Sequence, residues 1–144
     1  MSKMKRQISE IATRYDLQII YAFGSRAKEA LELVEGRIGH FDSTGSDLDI
    51  GIKPVHPLSV EEKVKIAILL EDLFDVHRVD LVVLPEAPVS LALEIVTGEI
   101  LYMQDPTLEA EYQLYIMRQA ADLLPYEKMK QDMILGGSYD PWSH

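Results

Sequence analysis

The segment SDLDIGIK, residues 46 to 53, alternates between apolar side chains at 48, 50 and 52 and polar or small ones between them. Because successive side chains of a strand point to opposite faces, this pattern predicts a half-buried β-strand. Asp47 and Asp49 then point the same way, about 7 Å apart along the backbone. A chain with this segment must build a sheet with one apolar face and must accommodate two neighbouring carboxylates.

Other strands and helices are predicted on both sides of this segment. Apolar runs bounded by turn residues predict three more strands, at Leu17 to Phe23, Val79 to Leu84 and Ile100 to Met103. Helical spacing and capping residues predict four helices, from the N-terminus to about Tyr15, from Ser59 to about Phe74, near Ser90 to Val96, and from Leu108 to Leu124. The fold class is therefore α/β (α+β), a small mixed β-sheet flanked by helices.

Three finer predictions concern helix faces and ends. The helix that follows Ser59 is expected to bury one face, made of Val60, Val64, Ala67 and Ile68. Pro125 is expected to end the last long helix, with a further helical stretch to Leu135 before Gly136-Gly137. We therefore predict one domain over residues 1–135, followed by a flexible C-terminal tail over residues 136–144.

Composition excludes several classes of protein. The 144 residues suffice for one domain and not for two ordinary ones. Without cysteine there is no disulfide or thiolate zinc site, and the N-terminus lacks the apolar core of a signal peptide, so we expect a cytoplasmic location. No apolar run approaches the roughly 20 residues of a membrane span. The net charge of −10 disfavours a polynucleotide substrate, because nonspecific nucleic-acid affinity comes from Lys and Arg.

Asp80 is a third carboxylate of interest, because it interrupts an otherwise apolar strand where an uncompensated charge is costly to bury. If this strand neighbours the strand at 46 to 53, Asp80 joins Asp47 and Asp49 in a cluster able to hold Mg²⁺. Two other interpretations stay open. Asp80 can pair with Arg78 or His77, and the two aspartates of the first strand can be a solvated face.

A possible phosphate-binding turn follows the first predicted strand. Gly24 and Ser25 come directly after Phe23, and Arg26 leads into a predicted helical turn. Backbone N–H groups at a helix start, a hydroxyl and an arginine fork all favour a polyanion, although a strand followed by Gly-Ser is common. The four histidines have no metal-ligand spacing and are predicted on the surface or in loops: His40, His56, His77 and His144.

The order strand, Gly-Ser, strand with Asp-x-Asp, helix, strand with Asp resembles the polymerase-beta-type nucleotidyltransferase superfamily, in particular its minimal nucleotidyltransferases. The motifs cover about residues 17 to 85, and the remainder through about residue 135 fits the small single-domain members in order. The resemblance implies in-line attack of an acceptor oxygen on the α-phosphorus of a nucleoside triphosphate, with pyrophosphate leaving.

The resemblance also implies roles for individual residues. Gly24 and Ser25, with Arg26 beside them, would bind the phosphates of ATP. Asp47 and Asp49 would ligate two Mg²⁺ ions, and Asp80 would complete the ion site that activates the acceptor hydroxyl; these three aspartates are the predicted catalytic and metal-binding residues.

One departure from the family's pattern is the length of the segment between Ser25 and Asp47. Residues 26 to 46 form an insertion, in which residues 31 to 41 are predicted as a small hairpin or as an extended helix and loop. Two interpretations stay open. The segment is a lid above the phosphates, with Arg37 reaching the nucleotide, or it is a surface excursion without a role.

The minimal nucleotidyltransferases resemble the antitoxins of bacterial and archaeal toxin–antitoxin pairs, which transfer AMP from ATP to a tyrosine of a HEPN-type ribonuclease toxin. The resemblance therefore implies a HEPN-domain toxin as partner. Alternatives are a small-molecule nucleotidyltransferase, such as one that modifies aminoglycosides, and a toxin-binding module without catalysis. Residue types common at protein interfaces occur near the C-terminus, although helix core explains them as well: Tyr112, Tyr115, Met117, Tyr126 and Met129.

Overall fold

Four strands and five α-helices make up the fold of the computed structural model, which describes residues 2–41 and 47–134. The helices are α1 (Lys3–Arg14), α2 (Ala27–Val34), α3 (Val60–Phe74), α4 (Val89–Val96) and α5 (Pro106–Ile134). The strands are β1 (Leu17–Phe23), β2 (Leu48–Pro54), β3 (Val79–Val83) and β4 (Glu99–Met103). Ser46, Leu135 and the predicted tail, with Trp142 and His144, lie outside the described residues.

The strands form one mixed sheet in the order β3-β2-β1-β4. β1 is antiparallel to β2 and β4, whereas β2 and β3 are parallel. The end of β1 therefore lies at the same edge of the sheet as the starts of β2 and β3. The predicted fold class is confirmed. The two strands that carry aspartates are adjacent, which is the condition on which the carboxylate cluster depended.

The sheet buries both of its faces along much of its length. The apolar side chains of β2, at 48, 50 and 52, are fully buried against α1, α2 and α3, as the alternation predicts. On the other face, α4 and α5 pack over Ile19, Tyr21 and Phe23. Gly51 lies beneath Ile95 of α4, and a Cβ at Gly51 would overlap the Ile95 side chain. Glycine is needed there because helix and strand approach closely.

The predicted face of α3 is wrong. Val60, Val64 and Ile68 are 75%, 52% and 50% exposed, and Ala67 is only partly buried. The buried residues are instead Ile66, Leu70 and Phe74. The helix carries two apolar stripes at helical spacing, and the core takes the one that ends at Phe74. The helix start was predicted correctly, because Ser59 and Glu62 form a capping box.

The predicted end of the last helix is also wrong, because α5 continues through Pro125 to Ile134. Proline removes one backbone donor and crowds the preceding turn, which a helix accommodates by bending where it is not packed tightly. The side chains at 117–119 and 121–123, just before the proline, are exposed. Among the described residues, no helix combines the length and the apolar character needed to span a membrane.

One buried polar pair ties α5 to the centre of the sheet. The Tyr21 hydroxyl donates to Glu109 Oε2 at 2.6 Å. Tyr21 is fully buried, and Glu109 is 6% exposed. A buried carboxylate is costly without a partner, so this hydrogen bond satisfies a group that would otherwise oppose the docking of α5.

Candidate active site

The three predicted aspartates lie together at one edge of the sheet. Asp47 immediately precedes β2, Asp49 lies within β2, and Asp80 lies opposite Asp49 in the parallel β3 register. The carboxyl group of Asp80 lies close enough to that of Asp49 to affect its pKa. Partial burial raises the pKa of Asp49, and the negative charges of Asp80 and Asp47 raise it further. Such mutual repulsion is typical of carboxylates that share a binding site.

Arg78 lies between two of these carboxylates. Its Nε is 3.0 Å from Asp80 Oδ1 and 3.9 Å from Asp47 Oδ2. The Leu48 N–H donates to the Arg78 carbonyl at 3.2 Å, which joins the backbone of Arg78 to the start of β2. Two interpretations that the sequence left open therefore hold together: Asp80 clusters with the other aspartates and also pairs with Arg78.

The oxygen-only donor set fits a hard divalent cation such as Mg²⁺. With the side chains as they stand, no group of three or more His, Asp or Glu within residues 2–41 and 47–134 is arranged to hold one ion. Arg78 contacts oxygens of Asp47 and Asp80, the same atoms that a cation would need. The fit to a cation thus lies in the chemistry of the three carboxylates. The exposed His40 and His77 are not involved, and His56 lies in an exposed turn near Asp16.

Gly24 brings the end of β1 against this cluster. Its φ is +77°, a left-handed conformation that favours glycine, and a Cβ at this position would lie 2.5 Å from Asp49 Oδ2. The Ala27 N–H donates to the Gly24 carbonyl at 3.3 Å, which leads the turn into α2. Gly24 and Ser25 are both exposed. The predicted phosphate turn and the carboxylates thus share one open edge.

Arg26 differs from the exposed Gly24 and Ser25 because it is only 8% exposed. Its guanidinium carbon lies 4.1 Å from the ring centre of Phe41, within the range of a cation–π contact. Phe41 also packs against Phe74 of α3, with ring centroids 5.9 Å apart. Sequence reasoning missed Phe41, since no local pattern links it to Arg26.

Within the insertion, the alternative of an extended helix and loop is correct up to residue 41. Residues 27–34 form α2, and the described residues from 35 to 41 include no strand. Leu33 and Val34 are buried, whereas Arg37 is exposed. A cavity of about 830 Å³ lies beside this segment, bordered by α1, α2 and the connection from α3 to β3. The residues that border it include titratable side chains of both signs, namely Lys3, Arg26, His40, Asp47, Asp75, His77 and Arg78.

Comparison with known proteins agrees with this geometry. The family model "Polymerase beta, Nucleotidyltransferase" matches residues 6–107, which include all four strands. No curated protein matches the chain.

Similar solved structures come from toxin–antitoxin systems, in which MntA antitoxins are paired with HEPN toxins. One is a mutant form of the MntA-HpeT pair, with a TM-score of 0.70 and 20% identity over 91% of this chain and 98% of that one. Another is a toxin–antitoxin with AMP-PNP, at 0.67 and 22% over 91% and 98%. A third is a tri-AMPylated Shewanella oneidensis HEPN toxin in complex with MNT antitoxin, at 0.65 and 21% over 92% and 96%.

At these identities the structural likeness establishes the fold, while the match over residues 6–107 establishes the family. The Gly24 turn, the two aspartates around β2 and Asp80 on β3 lie within that match. The chain belongs to the polymerase-beta nucleotidyltransferase family.

Proposed function

We propose that this protein transfers AMP from ATP to a hydroxyl group of a partner protein, a tyrosine of a HEPN-domain toxin, and so acts as the antitoxin. The observation that carries the proposal is the approach of Gly24 to Asp49, which itself lies opposite Asp80. A turn suited to phosphates and a set of carboxylates suited to Mg²⁺ meet within a few ångströms, as transfer of a nucleotidyl group requires.

In this proposal the Gly24 backbone and the Ser25 hydroxyl bind the β- and γ-phosphates. Asp47, Asp49 and Asp80 would hold two Mg²⁺ ions. Bound magnesium would neutralise charge on the phosphates and lower the pKa of the acceptor hydroxyl. Arg78 pairs with Asp47 and Asp80, and its positive charge lies where an anionic group of the substrate would approach.

The binding of a nucleotide is supported by the neighbouring cavity. Its volume of about 830 Å³ falls within the range of ligand pockets, and Asp47 and Arg78 border it on the side of the carboxylate cluster. Basic side chains border it although the chain as a whole carries a charge of −10. Three basic side chains, two carboxylates and several apolar side chains border it together, a mixed lining that suits a ligand with both a ring system and phosphates, such as ATP.

A protein as acceptor is supported by the similar solved structures. One of them contains a tri-AMPylated HEPN toxin bound to its antitoxin, and another contains AMP-PNP. The acidic surface also suits a partner with a basic RNA-binding site, because complementary charge speeds encounter.

The test mixes the purified chain, Mg²⁺ and ATP labelled at the α-phosphate with the product of the adjacent gene. We expect label on that protein, with loss of the label in Asp49→Asn and in EDTA. Asp72→Asn, an exposed change on α3, is the matched control and should leave transfer intact.

Each other outcome contradicts a part of the proposal. Transfer that survives Asp49→Asn or the removal of metal contradicts the carboxylate–metal chemistry. Neutralisation of the toxin that persists in Asp49→Asn, without labelling in the wild type, points to a binding module. Label that appears on an aminoglycoside and not on protein points to a small-molecule enzyme.

A further inference from the structure

Helix α5 has two apolar faces, of which only one packs on the domain. Ile116 and Ala120 are buried against the sheet side, with Tyr112 partly buried beside them. The opposite face carries Ala110, Leu114, Met117 and Ala121, all of which are exposed, Leu114 at 54% and Met117 at 38%. These four residues are called the α5 seam below.

The spacing of the α5 seam is four, three and four residues. This alternation matches the spacing by which one helix packs along a second helix, over about one and a half heptads. The family match ends at residue 107, where α5 has just begun, so the seam lies outside the part of the chain that the family model covers.

The α5 seam is complementary to itself in an antiparallel arrangement. If two α5 helices cross about a two-fold axis between residues 115 and 116, Ala110 meets Ala121 of the second copy, and Leu114 meets Met117 of the second copy. Small side chains thus face small ones and large face large. A two-fold axis makes each contact occur twice, as in most homodimers.

The charges beside the α5 seam agree with the same arrangement. Glu111 and Arg118 are exposed and flank the seam on one side. Within the described residues neither forms an ion pair in its own chain. The antiparallel pairing sets Glu111 near Arg118 of the second copy, twice. A parallel pairing sets the two residues on opposite sides of the interface and offers no such ion pair.

We propose that α5 is a homodimerisation helix, and that two copies of this chain pair antiparallel along Ala110, Leu114, Met117 and Ala121. The interface spans about three helical turns in each copy, so it is small and the association is weak unless other contacts join it. The proposal does not depend on nucleotide transfer, because none of its residues contacts the carboxylate cluster.

Disulfide trapping tests the orientation directly, since the chain has no cysteine of its own. Two variants, Ala110→Cys and Ala121→Cys, are oxidised separately and as an equal mixture. We expect a cross-linked dimer in the mixture and almost none with either variant alone. Identical positions lie about 16 Å apart in the antiparallel pair, beyond the roughly 7 Å between Cα atoms that a disulfide allows.

Sedimentation at high micromolar concentration tests the association without cysteines. The wild type should show a dimer that Leu114→Glu abolishes. Leu123→Glu places the same charge at a 46% exposed position of α5 outside the seam and should leave the dimer intact. The folding of each variant is checked by its circular dichroism and its melting temperature.

Three outcomes overturn the proposal. The first is a monomeric wild type that gives no cross-link in the mixture. The second is a cross-link of Ala110→Cys with itself, which means a parallel pair. The third is a homodimer that the product of the adjacent gene dissociates, with Leu114→Glu abolishing capture of that product, which would assign the seam to a helix of the other protein.

Discussion

At the scale of single residues, the candidate site is defined by three carboxylates whose negative charges repel one another. Asp47, Asp49 and Asp80 lie close enough for the pKa of Asp49 to rise, through burial first and then through its two neighbours. Arg78 offsets part of that repulsion by contacting two of the three. We therefore expect the guanidinium to compete with any cation that binds these carboxylates.

Replacing Arg78 by glutamine should therefore strengthen the binding of divalent cations. An exposed ion pair contributes roughly 0.5–1 kcal/mol, so we expect the affinity for Mg²⁺ or Mn²⁺ to rise about two- to fivefold. Isothermal titration with the metal alone measures this without any turnover. Arg78→Lys keeps a positive charge and is the control. An unchanged affinity in Arg78→Gln would show that the arginine does not compete.

Gly24 should not tolerate even one added carbon. Alanine there adopts a strained positive φ and brings its Cβ to 2.5 Å from Asp49 Oδ2, so the turn or the carboxylate has to move. We expect Gly24→Ala to lose most of its transfer activity and roughly 1 kcal/mol or more of stability. Gly39→Ala is the matched control for stability, since a Cβ there meets nothing within 4 Å. Equal stability of the two variants in urea unfolding would refute the steric argument.

Tyr21 should make the protein sensitive to alkali. Burial raises the pKa of the Tyr21 phenol above its ordinary value, as does its hydrogen bond to Glu109, and burial likewise raises the pKa of Tyr112 to about 12. The folded state favours the neutral phenols, so their stabilisation is complete below about pH 10 and is lost as the pH rises above it.

Tyr21→Phe leaves the buried Glu109 without its donor and should cost about 1–3 kcal/mol at pH 7. The same variant should lose less stability than the wild type between pH 9 and about pH 11. Urea unfolding at several pH values measures both effects. Tyr115→Phe, at a half-exposed position, should change the pH dependence little. If the free energy of unfolding of wild type and of Tyr21→Phe falls equally with pH, the Tyr21 phenol is not the source of the loss at alkaline pH.

At the scale of secondary structure, local patterns predicted some strand bounds and helix starts correctly, although the local signal of Pro125 did not end α5. The bounds of β1 and the capping box of α3 follow from neighbouring residues and were predicted correctly. The buried face of α3 was not, because the choice between two apolar stripes depends on what packs against the helix. The contact between Arg26 and Phe41 joins residues on either side of α2, so no periodicity in the sequence could indicate it.

The capping box of α3 gives a prediction at this scale. Ser59→Ala removes the acceptor for the Glu62 N–H, and we expect a loss of about 1 kcal/mol in the free energy of unfolding. Because α3 leads into β3, the loss should appear in global unfolding, measured with urea. Ser90→Ala, in the first turn of α4 and without a capping role there, should change stability by less than half as much. Equal losses would mean that the box does not stabilise the helix.

At the scale of the whole molecule, the three neighbouring carboxylates should lower the stability of the folded protein, and a bound cation should restore it. Asp49→Asn removes one of three neighbouring charges and should raise the melting temperature of the metal-free protein. Mg²⁺ should raise the melting temperature of the wild type, since a ligand that binds only the folded state stabilises it. It should have much less effect on Asp49→Asn. Thermal melts with and without Mg²⁺ measure both, and a wild type indifferent to Mg²⁺ would argue against the metal site.

The candidate catalytic residues and the α5 seam lie in separate parts of the sequence. Every candidate catalytic residue precedes position 81, whereas the whole α5 seam follows position 109. Recombination between these positions would exchange α5, and the new helix would have to supply a partner for the buried Tyr21 hydroxyl in place of Glu109. Point changes on the exposed face of α5 would meet no such constraint, so that face could change its partner while the candidate site stays as it is.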